Sequence, residues 1–255
     1  MTSAERPRIL VPLTSGEGVT VEAVVFPCAG SGPSQFHGWR ELVPANWRLS
    51  SACLPGREHR AFEPLESRLE RVADEMAEAI AAALPRDRPL LLIGHSLGAV
   101  IAFEVALRSS PLALAVFACP PPDHLEDDVA PDFSSDLIWD EVFTRVSGGR
   151  ELSPDLVAEL KAMNRAVVEA DTAMLGTYAW DGRRTRCDIW AVYGSADHFS
   201  PGSWAGQTTG TAATVIVPGG HYFPCDDPKR AVGELVHRVE MLAAANRPGG
   251  DGLLP

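Results

Sequence analysis

The sequence predicts an α/β fold in which helices flank a mostly parallel central sheet. Several of its short apolar segments are apolar at nearly every position, as is typical of strands that are buried on both faces of a parallel sheet. Segments with helical spacing lie between them, and this alternation of strands and helices requires crossover connections. The predicted strands, in chain order, are ILVPL, VEAVVF, LSSACL, PLLLIG, LALAVFA, DIWAVYG and ATVIVP.

Two helices are clear from their periodicity. Residues 67–84 carry apolar side chains at every third or fourth position, and Ser67 followed by Glu70 predicts a capping box at the start. A second amphipathic helix runs from about residue 228 to residue 245, after the last predicted strand. The apolar faces comprise Leu69, Val72, Met76, Ile80 and Leu84 in the first helix, and Val232, Leu235, Val236, Val239 and Leu242 in the second.

An insertion at about residues 121–186 interrupts the alternation, and an insertion of this size within a sheet usually covers something. Ser153 followed by Pro154 is typical of a helix start. The helix that they predict carries one apolar stripe, formed by Leu156, Leu160, Met163 and Val167. We therefore expect a single domain over residues 1–246 that contains this helical insertion, followed by a flexible tail over residues 247–255.

The overall charge excludes a nucleic-acid binder, since a net charge of -12 without a long basic stripe offers little to phosphate groups. The amino terminus lacks the apolar core of a signal peptide, and no segment reaches the roughly 18 consecutive apolar residues of a membrane span. We expect a cytoplasmic protein that does not bind membranes. The five scattered cysteines include no C-x-x-C pair and predict neither a disulfide framework nor a zinc site.

The segment LLLIGHSLGAV, residues 90–100, has a serine between a predicted strand and a predicted helix. Gly94 and Gly98 flank Ser96 at two positions on either side, which is the spacing of the G-x-S-x-G nucleophile elbow. The two glycines permit a tight turn that exposes the Ser96 hydroxyl at the sheet edge. The helix that follows directs its free N–H groups and the positive end of its dipole toward this hydroxyl. The motif is short, but its strand and helix context predicts that Ser96 is a nucleophile.

A nucleophilic serine needs a base and an orienting carboxylate, and in this architecture the acid follows the serine and the histidine comes last. YGSADHFSP and PGGHYFP each follow a predicted strand. Asp197 and His221 therefore lie at the carboxyl ends of strands, where open α/β sheets hold their chemistry, and we take them as acid and base. Asp123, after the strand that precedes the insertion, is a less favoured acid, and His95 and His198 are less favoured bases.

Acyl transfer also needs hydrogen-bond donors for the oxyanion that develops at the attacked carbonyl group. The backbone N–H of Leu97, directly after the nucleophile, is the first predicted donor. The second is expected in the glycine-rich loop of VVFPCAGSGPSQF, after an early strand. The N–H of Ala29 is favoured there, and that of Gly30 is the alternative.

Five segments together resemble the stand-alone type II thioesterases that accompany polyketide and non-ribosomal peptide synthases: FPCAGSGPSQFHGW, LPGREHR, LLIGHSLGAVIAFEVA, YGSADHFSP and PGGHYF. The resemblance implies an α/β-hydrolase fold with a helical lid. It also implies removal of acyl groups from the phosphopantetheine arm of acyl or peptidyl carrier proteins. Carried over position by position, it implies Ser96 as nucleophile, Asp197 as acid, His221 as base, and the N–H groups of Ala29 and Leu97 as oxyanion hole. We expect no cofactor or metal, and a monomer.

The resemblance leaves the acyl group open, because the chain departs from the family pattern at several positions. The oxyanion loop has Ala-Gly-Ser-Gly where the family commonly has adjacent glycines, Leu97 replaces a frequent methionine, and Thr172 replaces a large apolar residue of the lid. Met163, Val167 and Thr172 are the candidate lid residues for contact with an acyl chain. Packing of the helix on its own domain is the favoured alternative for this apolar stripe.

Carrier proteins are typically acidic, so an enzyme with a net charge of -12 needs a local basic patch to attract one. Arg183, Arg184 and Arg186 form the candidate docking patch, and Arg57 with Arg60 forms a second basic cluster. A solvated run of charges without a docking role is the alternative.

Three other functions are compatible with the same residues. A carboxylesterase uses the same triad, and an acyltransferase or cyclase uses it with a second acceptor when the lid excludes water. The third is a ligand-binding protein without turnover, and a complete triad in the expected order weighs against it.

Overall fold

A computed structural model describes residues 8–125 and 153–245. At its centre is a seven-stranded sheet with the strand order β1-β3-β2-β4-β5-β6-β7, in which β1 is antiparallel to β3 and the other pairs are parallel. Each strand coincides with one predicted apolar segment, so the predicted α/β fold is confirmed. The strands are β1 (Leu10–Pro12), β2 (Val21–Phe26), β3 (Trp47–Ala52), β4 (Leu90–His95), β5 (Ala113–Phe117), β6 (Asp188–Gly194) and β7 (Ala212–Val217).

The described α-helices are α1 (Leu69–Ala83), α2 (Leu97–Arg108), α3 (Pro154–Thr177), α4 (Phe223–Asp226) and α5 (Pro228–Ala245). Helices α1 and α2 pack on one face of the sheet, whereas α5 packs on the other together with a 3-10 helix at Pro33–Trp39. Coverage of both faces explains why every residue of β2 and β5 is buried. No helix in the described part of the chain combines the length and hydropathy of a membrane span.

The first predicted helix begins later than expected and lacks the predicted cap. Helix α1 starts at Leu69, and Ser67 does not form the predicted capping box. The carboxylate of Glu66 accepts the N–H groups of Ser67 and Arg68 instead, each at 3.0 Å. Both of these N–H groups precede the first helical residue, so Glu66 orders the approach to α1 and the helix has no side-chain cap.

The register of the parallel strands brings their carboxyl ends to one edge of the sheet, which we call the carboxyl edge. Phe26 of β2 lies opposite Gly94 of β4, and His95 lies opposite Phe117 of β5. The last residues of β6 and β7 pair in the same way. The loops that follow β2, β4, β6 and β7 therefore meet at the carboxyl edge, and the predicted site residues lie on these loops.

The predicted insertion connects β5 to β6. Its residues 126–152 lie outside the described residues, as does the predicted tail. Helix α3 starts as expected, because Pro154 is its first residue and Ser153 Oγ accepts the N–H of Leu156 at 3.3 Å.

The apolar stripe of α3 is not packed in the core as we had favoured. Leu156 is 42% exposed and Met163 is 71% exposed. Fully buried side chains occur only toward the carboxyl end of the helix, at Asp171 and Met174. The expectation fails because α3 rests on the domain through this end, where Asp171 and Met174, which are not part of the stripe, make the buried contacts.

Candidate active site

Ser96 lies at a sharp turn between β4 and α2. Its φ of 55° is one that a residue other than glycine rarely adopts, and such backbone strain is typical of functional turns. Gly94 and Gly98 leave the room for this turn. A Cβ on Gly94 would lie 2.3 Å from the Cα of Ala99, and a Cβ on Gly98 would lie 2.2 Å from the carbonyl oxygen of Phe26. The geometry is that of a nucleophile elbow.

Asp197 and His221 form a hydrogen-bonded pair at the carboxyl edge, with 3.1 Å between His221 Nδ1 and Asp197 Oδ1. The loops that carry them are joined by the N–H of Ala196, which donates to the carbonyl oxygen of Gly219 at 2.8 Å. Gly194 permits this approach, because a Cβ there would lie 2.4 Å from the same oxygen. The Asp197 side chain is fully buried and His221 is 8% exposed. An imidazole that is held at Nδ1 by a carboxylate can use Nε2 as a base.

The surroundings of Asp197 keep it ionised. Burial raises the pKa of Asp197, but the hydrogen bond and charge of His221, the N–H of Phe199 and the charge of His198 together lower it by more, so the pKa lies below the ordinary value of 3.8. The N–H of Phe199 donates a further hydrogen bond of 3.2 Å to Asp197 Oδ1. Asp197 is therefore a carboxylate at neutral pH and can hold the imidazole in one tautomer.

His198 lies beside this pair, with its Nδ1 3.4 Å from Asp197 Oδ1 and its side chain 44% exposed. One ligand atom from each of Asp197, His198 and His221 lies within 4.8 Å of the others, which is close enough for the three side chains to hold a metal ion. Asp197 Oδ1 already accepts hydrogen bonds from His221 and from the N–H of Phe199. The cluster is therefore better described as an acid and a base with a neighbouring imidazole.

The alternative acid, Asp123, serves a different contact. It is exposed, and its Oδ1 accepts a hydrogen bond of 2.9 Å from Gln207 Nε2. This bond joins the start of the insertion to a 3-10 helix at Trp204–Gln207. The described contacts thus bring Asp197, and not Asp123, to His221.

His95, the residue before Ser96, is fully buried and joins three loops of the carboxyl edge. Its Nδ1 lies 2.7 Å from Gln35 Nε2, and its Nε2 lies 2.8 Å from the carbonyl oxygen of His221. Oε1 of Gln35 accepts the N–H of Cys28 at 3.0 Å, so the Gln35 amide presents its N–H₂ to His95. His95 then carries its proton on Nε2 and donates it to the His221 carbonyl group. We call these contacts the His95 network.

The His95 network was missed by the sequence reasoning, which considered His95 only as a base. Gln35 and His221 are 60 and 126 residues away from His95 in the chain. No local pattern predicts contacts over such separations, although a histidine inside a strand that is otherwise apolar does indicate a buried hydrogen-bond partner.

The loop after β2 carries the predicted second oxyanion donor. The N–H of Gly30 donates to Asp171 Oδ2 at 2.7 Å and is therefore already engaged. Among the described residues, the N–H groups of Ala29 and Leu97 donate to no protein acceptor, so both can serve a ligand. This geometry favours Ala29 over Gly30 as the donor.

The candidate lid residues have different settings along α3. Met163 is exposed, whereas Val167 and Thr172 are half-buried. The hydroxyl of Thr172 donates to the carbonyl oxygen of Val168 at 2.8 Å, so it is satisfied within the helix. Contact of these residues with an acyl chain stays a prediction.

The carboxyl end of α3 is anchored to α2, the helix that follows the elbow. Tyr178 donates to Glu104 Oε1 at 2.8 Å, and burial together with the charge of Glu104 raises the pKa of Tyr178. Arg108 and Arg183 also donate to Glu104, so its buried carboxylate is well paired. The carboxyl end of α3 is thus held against the domain.

The predicted docking arginines lie at the other end of the sheet. Arg183, Arg184 and Arg186 precede β6, whereas Asp197 follows it, and a strand of 7 residues separates its two ends by about 20 Å. Arg183 forms ion pairs with carboxylates of its own chain, and Arg184 donates to backbone carbonyl groups. The docking role stays a prediction, and a carrier bound at this patch would lie far from the nucleophile.

The second basic cluster is not a surface patch, so that prediction is wrong. Arg57 is 8% exposed and Arg60 is 3% exposed. Arg57 pairs with Asp171 at 2.6 Å, and Arg60 pairs with Glu63 and Glu75, each also at 2.6 Å. Guanidinium groups that are buried and paired in this way are unavailable to a carrier protein.

The chain is similar to known thioesterases in sequence. A family model described as a thioesterase domain matches residues 23–240. The gramicidin S biosynthesis protein GrsT of Aneurinibacillus migulanus is 28% identical over 229 residues, which cover 86% of this chain and 89% of the relative. The medium-chain S-acyl fatty acid synthase thioesterase of Homo sapiens is 27% identical over 242 residues, which cover 89% of this chain and 90% of the relative.

A solved structure is similar over most of the chain. It is that of RedJ, a thioesterase from the prodiginine biosynthetic pathway in Streptomyces coelicolor. The match has a TM-score of 0.72 and 30% sequence identity, and it covers 92% of this chain and 90% of RedJ.

Proposed function

Because the chain belongs to the thioesterase family and has an α/β-hydrolase fold, we propose that it is a type II thioesterase. Its proposed substrates are acyl groups on the phosphopantetheine arm of acyl or peptidyl carrier proteins, which it hydrolyses. The carrier belongs to a polyketide or non-ribosomal peptide synthase. The observation that carries the proposal is the hydrogen-bonded pair of Asp197 and His221 at the same sheet edge as the strained turn at Ser96.

In the proposed mechanism, His221 takes the proton of Ser96 while the serine Oγ attacks the thioester carbonyl carbon. The carbonyl electrons move to oxygen, and the N–H groups of Ala29 and Leu97 bind the resulting oxyanion. Collapse of this intermediate breaks the C–S bond, and the sulfur takes the proton from the His221 imidazolium, which restores the neutral base. The thiol leaves readily because an ordinary thiol has a pKa of about 8.5. Water then gives a proton to His221 as it attacks the acyl-Ser96 ester, His221 passes this proton to the serine Oγ, and the carboxylic acid departs.

Asp197 and the His95 network support His221 from two sides. The carboxylate of Asp197 accepts from Nδ1 and stabilises the imidazolium that forms in each step. The His95 network donates to the backbone carbonyl group of His221 and limits movement of its loop. The base therefore needs little reorganisation between the acylation and deacylation steps.

The names of the relatives support the assignment to a biosynthetic pathway. GrsT is named as a gramicidin S biosynthesis protein, and RedJ as a thioesterase from the prodiginine pathway. The human relative is named as a fatty acid synthase thioesterase. We take these names as support for a thioester substrate that is bound to an assembly enzyme, in preference to a free ester.

The test is a comparison of hydrolysis rates for four substrates with one acyl group: the acyl carrier thioester, the acyl-CoA, the N-acetylcysteamine thioester and the p-nitrophenyl ester. We expect the carrier thioester to be the best substrate, and we expect Ser96→Ala to lower kcat by at least about 1000-fold. Ser109→Ala, at the far end of α2, is the matched control and should keep wild-type rates.

Each contrary outcome has a distinct meaning. Faster turnover of the p-nitrophenyl ester than of every thioester would contradict the proposed substrate class and indicate a carboxylesterase. Substantial turnover by Ser96→Ala would contradict the acyl-serine route. An acylated second acceptor in place of free acid would indicate an acyltransferase.

A further inference from the structure

A buried ion pair joins the lid helix to the loop that carries the proposed oxyanion donor. Asp171 of α3 is fully buried and accepts two hydrogen bonds from Arg57, at 2.6 Å from Nη1 and 2.7 Å from Nη2. The same carboxylate accepts the N–H of Gly30 at 2.7 Å. Arg57 Nη1 also donates to the carbonyl oxygen of Ser31 at 3.2 Å. The two side chains therefore hold the loop after β2 by one of its N–H groups and one of its carbonyl groups.

These contacts determine where the N–H of Ala29 points. The Cys28–Ala29 peptide group contains both this N–H and the carbonyl group of Cys28, which accepts the N–H of Ser31 at 3.1 Å. The preceding peptide is held by Gln35 at the N–H of Cys28, and the following one is held by Asp171 at the N–H of Gly30. Because N–H and C=O point in opposite directions across a planar trans peptide, the Ala29 N–H faces away from its own loop.

The lid helix contacts this loop through a second residue. A Cβ on Gly30 would lie 3.0 Å from Cγ2 of Val168, which precedes Asp171 by nearly one helical turn. Gly30 also has a φ of 74°, which favours glycine. The loop is thus shaped to receive α3, and the position of the helix and the position of the Ala29 N–H are coupled.

We propose that Arg57 and Asp171 are a positioning pair for catalysis, which completes the oxyanion hole only while α3 lies against the loop after β2. This proposal rests on the proposed function. The pair does not touch the substrate; it orients the peptide group whose N–H binds the oxyanion. The lid thereby acts on the chemical step as well as on access to the site.

The charges of the pair predict an asymmetry that a purely structural contact does not. Without Arg57, the Asp171 carboxylate remains next to the loop as an uncompensated negative charge, and it opposes the oxyanion. Without the negative charge of Asp171, Arg57 remains as a positive charge, which attracts the oxyanion, so only the orientation of the loop is weakened. Loss of Arg57 should therefore impair catalysis more than loss of the Asp171 charge, and neutralising Asp171 should partly rescue the loss of Arg57.

The experiment measures kcat and KM for an N-acetylcysteamine thioester, which needs no carrier docking, with Arg57→Met, Asp171→Asn and the double variant. Removing one oxyanion donor typically lowers kcat by about 100-fold to 1000-fold. We expect about 100-fold for Arg57→Met, about 10-fold for Asp171→Asn, and an intermediate loss for the double variant. KM should stay within about threefold of wild type, because the interaction is made with the transition state. Arg57→Lys should keep part of the activity, since lysine keeps the charge but not the bidentate contact.

Arg60→Met is the matched control, because Arg60 is equally buried in the same segment and pairs with Glu63 and Glu75, which are not on the lid. It should lower the melting temperature without lowering kcat. An equal loss of kcat in Arg60→Met would overturn the proposal, as would folded Arg57 and Asp171 variants with kcat near wild type. If Arg57→Met does not fold, the double variant tests the proposal in its place, because it leaves no buried charge unpaired. A folded double variant with kcat near wild type would then overturn the proposal.

Turnover by the wild-type protein distinguishes a failure of the proposed function from a failure of the positioning pair. Absence of thioester turnover in the wild-type protein would refute the proposed function, and the positioning pair with it. Wild-type turnover with unchanged kcat in the folded pair variants would refute the positioning pair alone.

Discussion

A methyl group added at Gly98 tests the elbow geometry directly. In Gly98→Ala, the new Cβ would lie 2.2 Å from the carbonyl oxygen of Phe26 and 2.5 Å from that of Pro27. Both are backbone atoms that cannot rotate away, so ordinary packing returns only if α2 and the loop after β2 separate by about 1 Å. A misplacement of about 1 Å lowers the rate on the order of 100-fold, and overpacking costs about 1–3 kcal/mol of stability.

The assay for Gly98→Ala is steady-state hydrolysis of an N-acetylcysteamine thioester, with thermal unfolding measured on the same sample. We expect kcat/KM to fall about 100-fold and Tm to fall by roughly 5 °C. Gly233→Ala is the matched control, because an added Cβ inside α5 would meet no described atom within 4 Å outside its own helix backbone. It should keep kcat and raise the free energy of unfolding by about 0.5–1 kcal/mol. Wild-type activity and stability in Gly98→Ala would refute the packing argument.

Three further predictions concern the surroundings of the site. Gln35→Met breaks the His95 network and should lower kcat about 10-fold with little change in KM, measured by steady-state kinetics; an unchanged kcat would refute the network's role. Tyr178→Phe removes a hydrogen bond to the buried Glu104 carboxylate and should lower the free energy of urea unfolding by about 1.5–3 kcal/mol. Because the pKa of Asp197 is lowered in the folded state, its ionised form stabilises the protein above the ordinary value of 3.8, and this stability is lost as pH falls through the lower folded pKa. We therefore expect the free energy of unfolding of the wild type to fall more steeply than that of Asp197→Asn as the pH approaches 3, and the two to have parallel pH dependence from about pH 5 to pH 7.

The strands and the triad candidates were predictable from the sequence because their signals are local. Strand β2, which is buried along its whole length, is apolar at every position except Glu22, whose carboxylate pairs with Arg48 and Arg88. Ser96 follows β4 directly, and Asp197 and His221 lie shortly after the ends of β6 and β7, so the parallel sheet brings all three to one edge. Membership of the thioesterase family, which the five motifs indicated, is confirmed.

The contacts that were not predicted join distant parts of the chain. Arg57 and Asp171 are 114 residues apart, so neither residue alone indicates the other. Without knowledge of their partners, Arg57 and Arg60 were interpreted as surface charges, although burial in ion pairs is equally consistent with their sequence. One signal was present: Asp171 lies one helical turn from Val168 and from Leu175, and a carboxylate on such an apolar face indicates a buried cationic partner.

The most direct test of the central claim is mass spectrometry of the protein quenched during turnover of an acyl carrier thioester. We predict the mass of the acyl group on the peptide that contains Ser96, formed and lost at rates that match steady-state turnover, and its absence in Ser96→Ala. Turnover without a covalent adduct, or an adduct on another residue that persists in Ser96→Ala, would contradict the account.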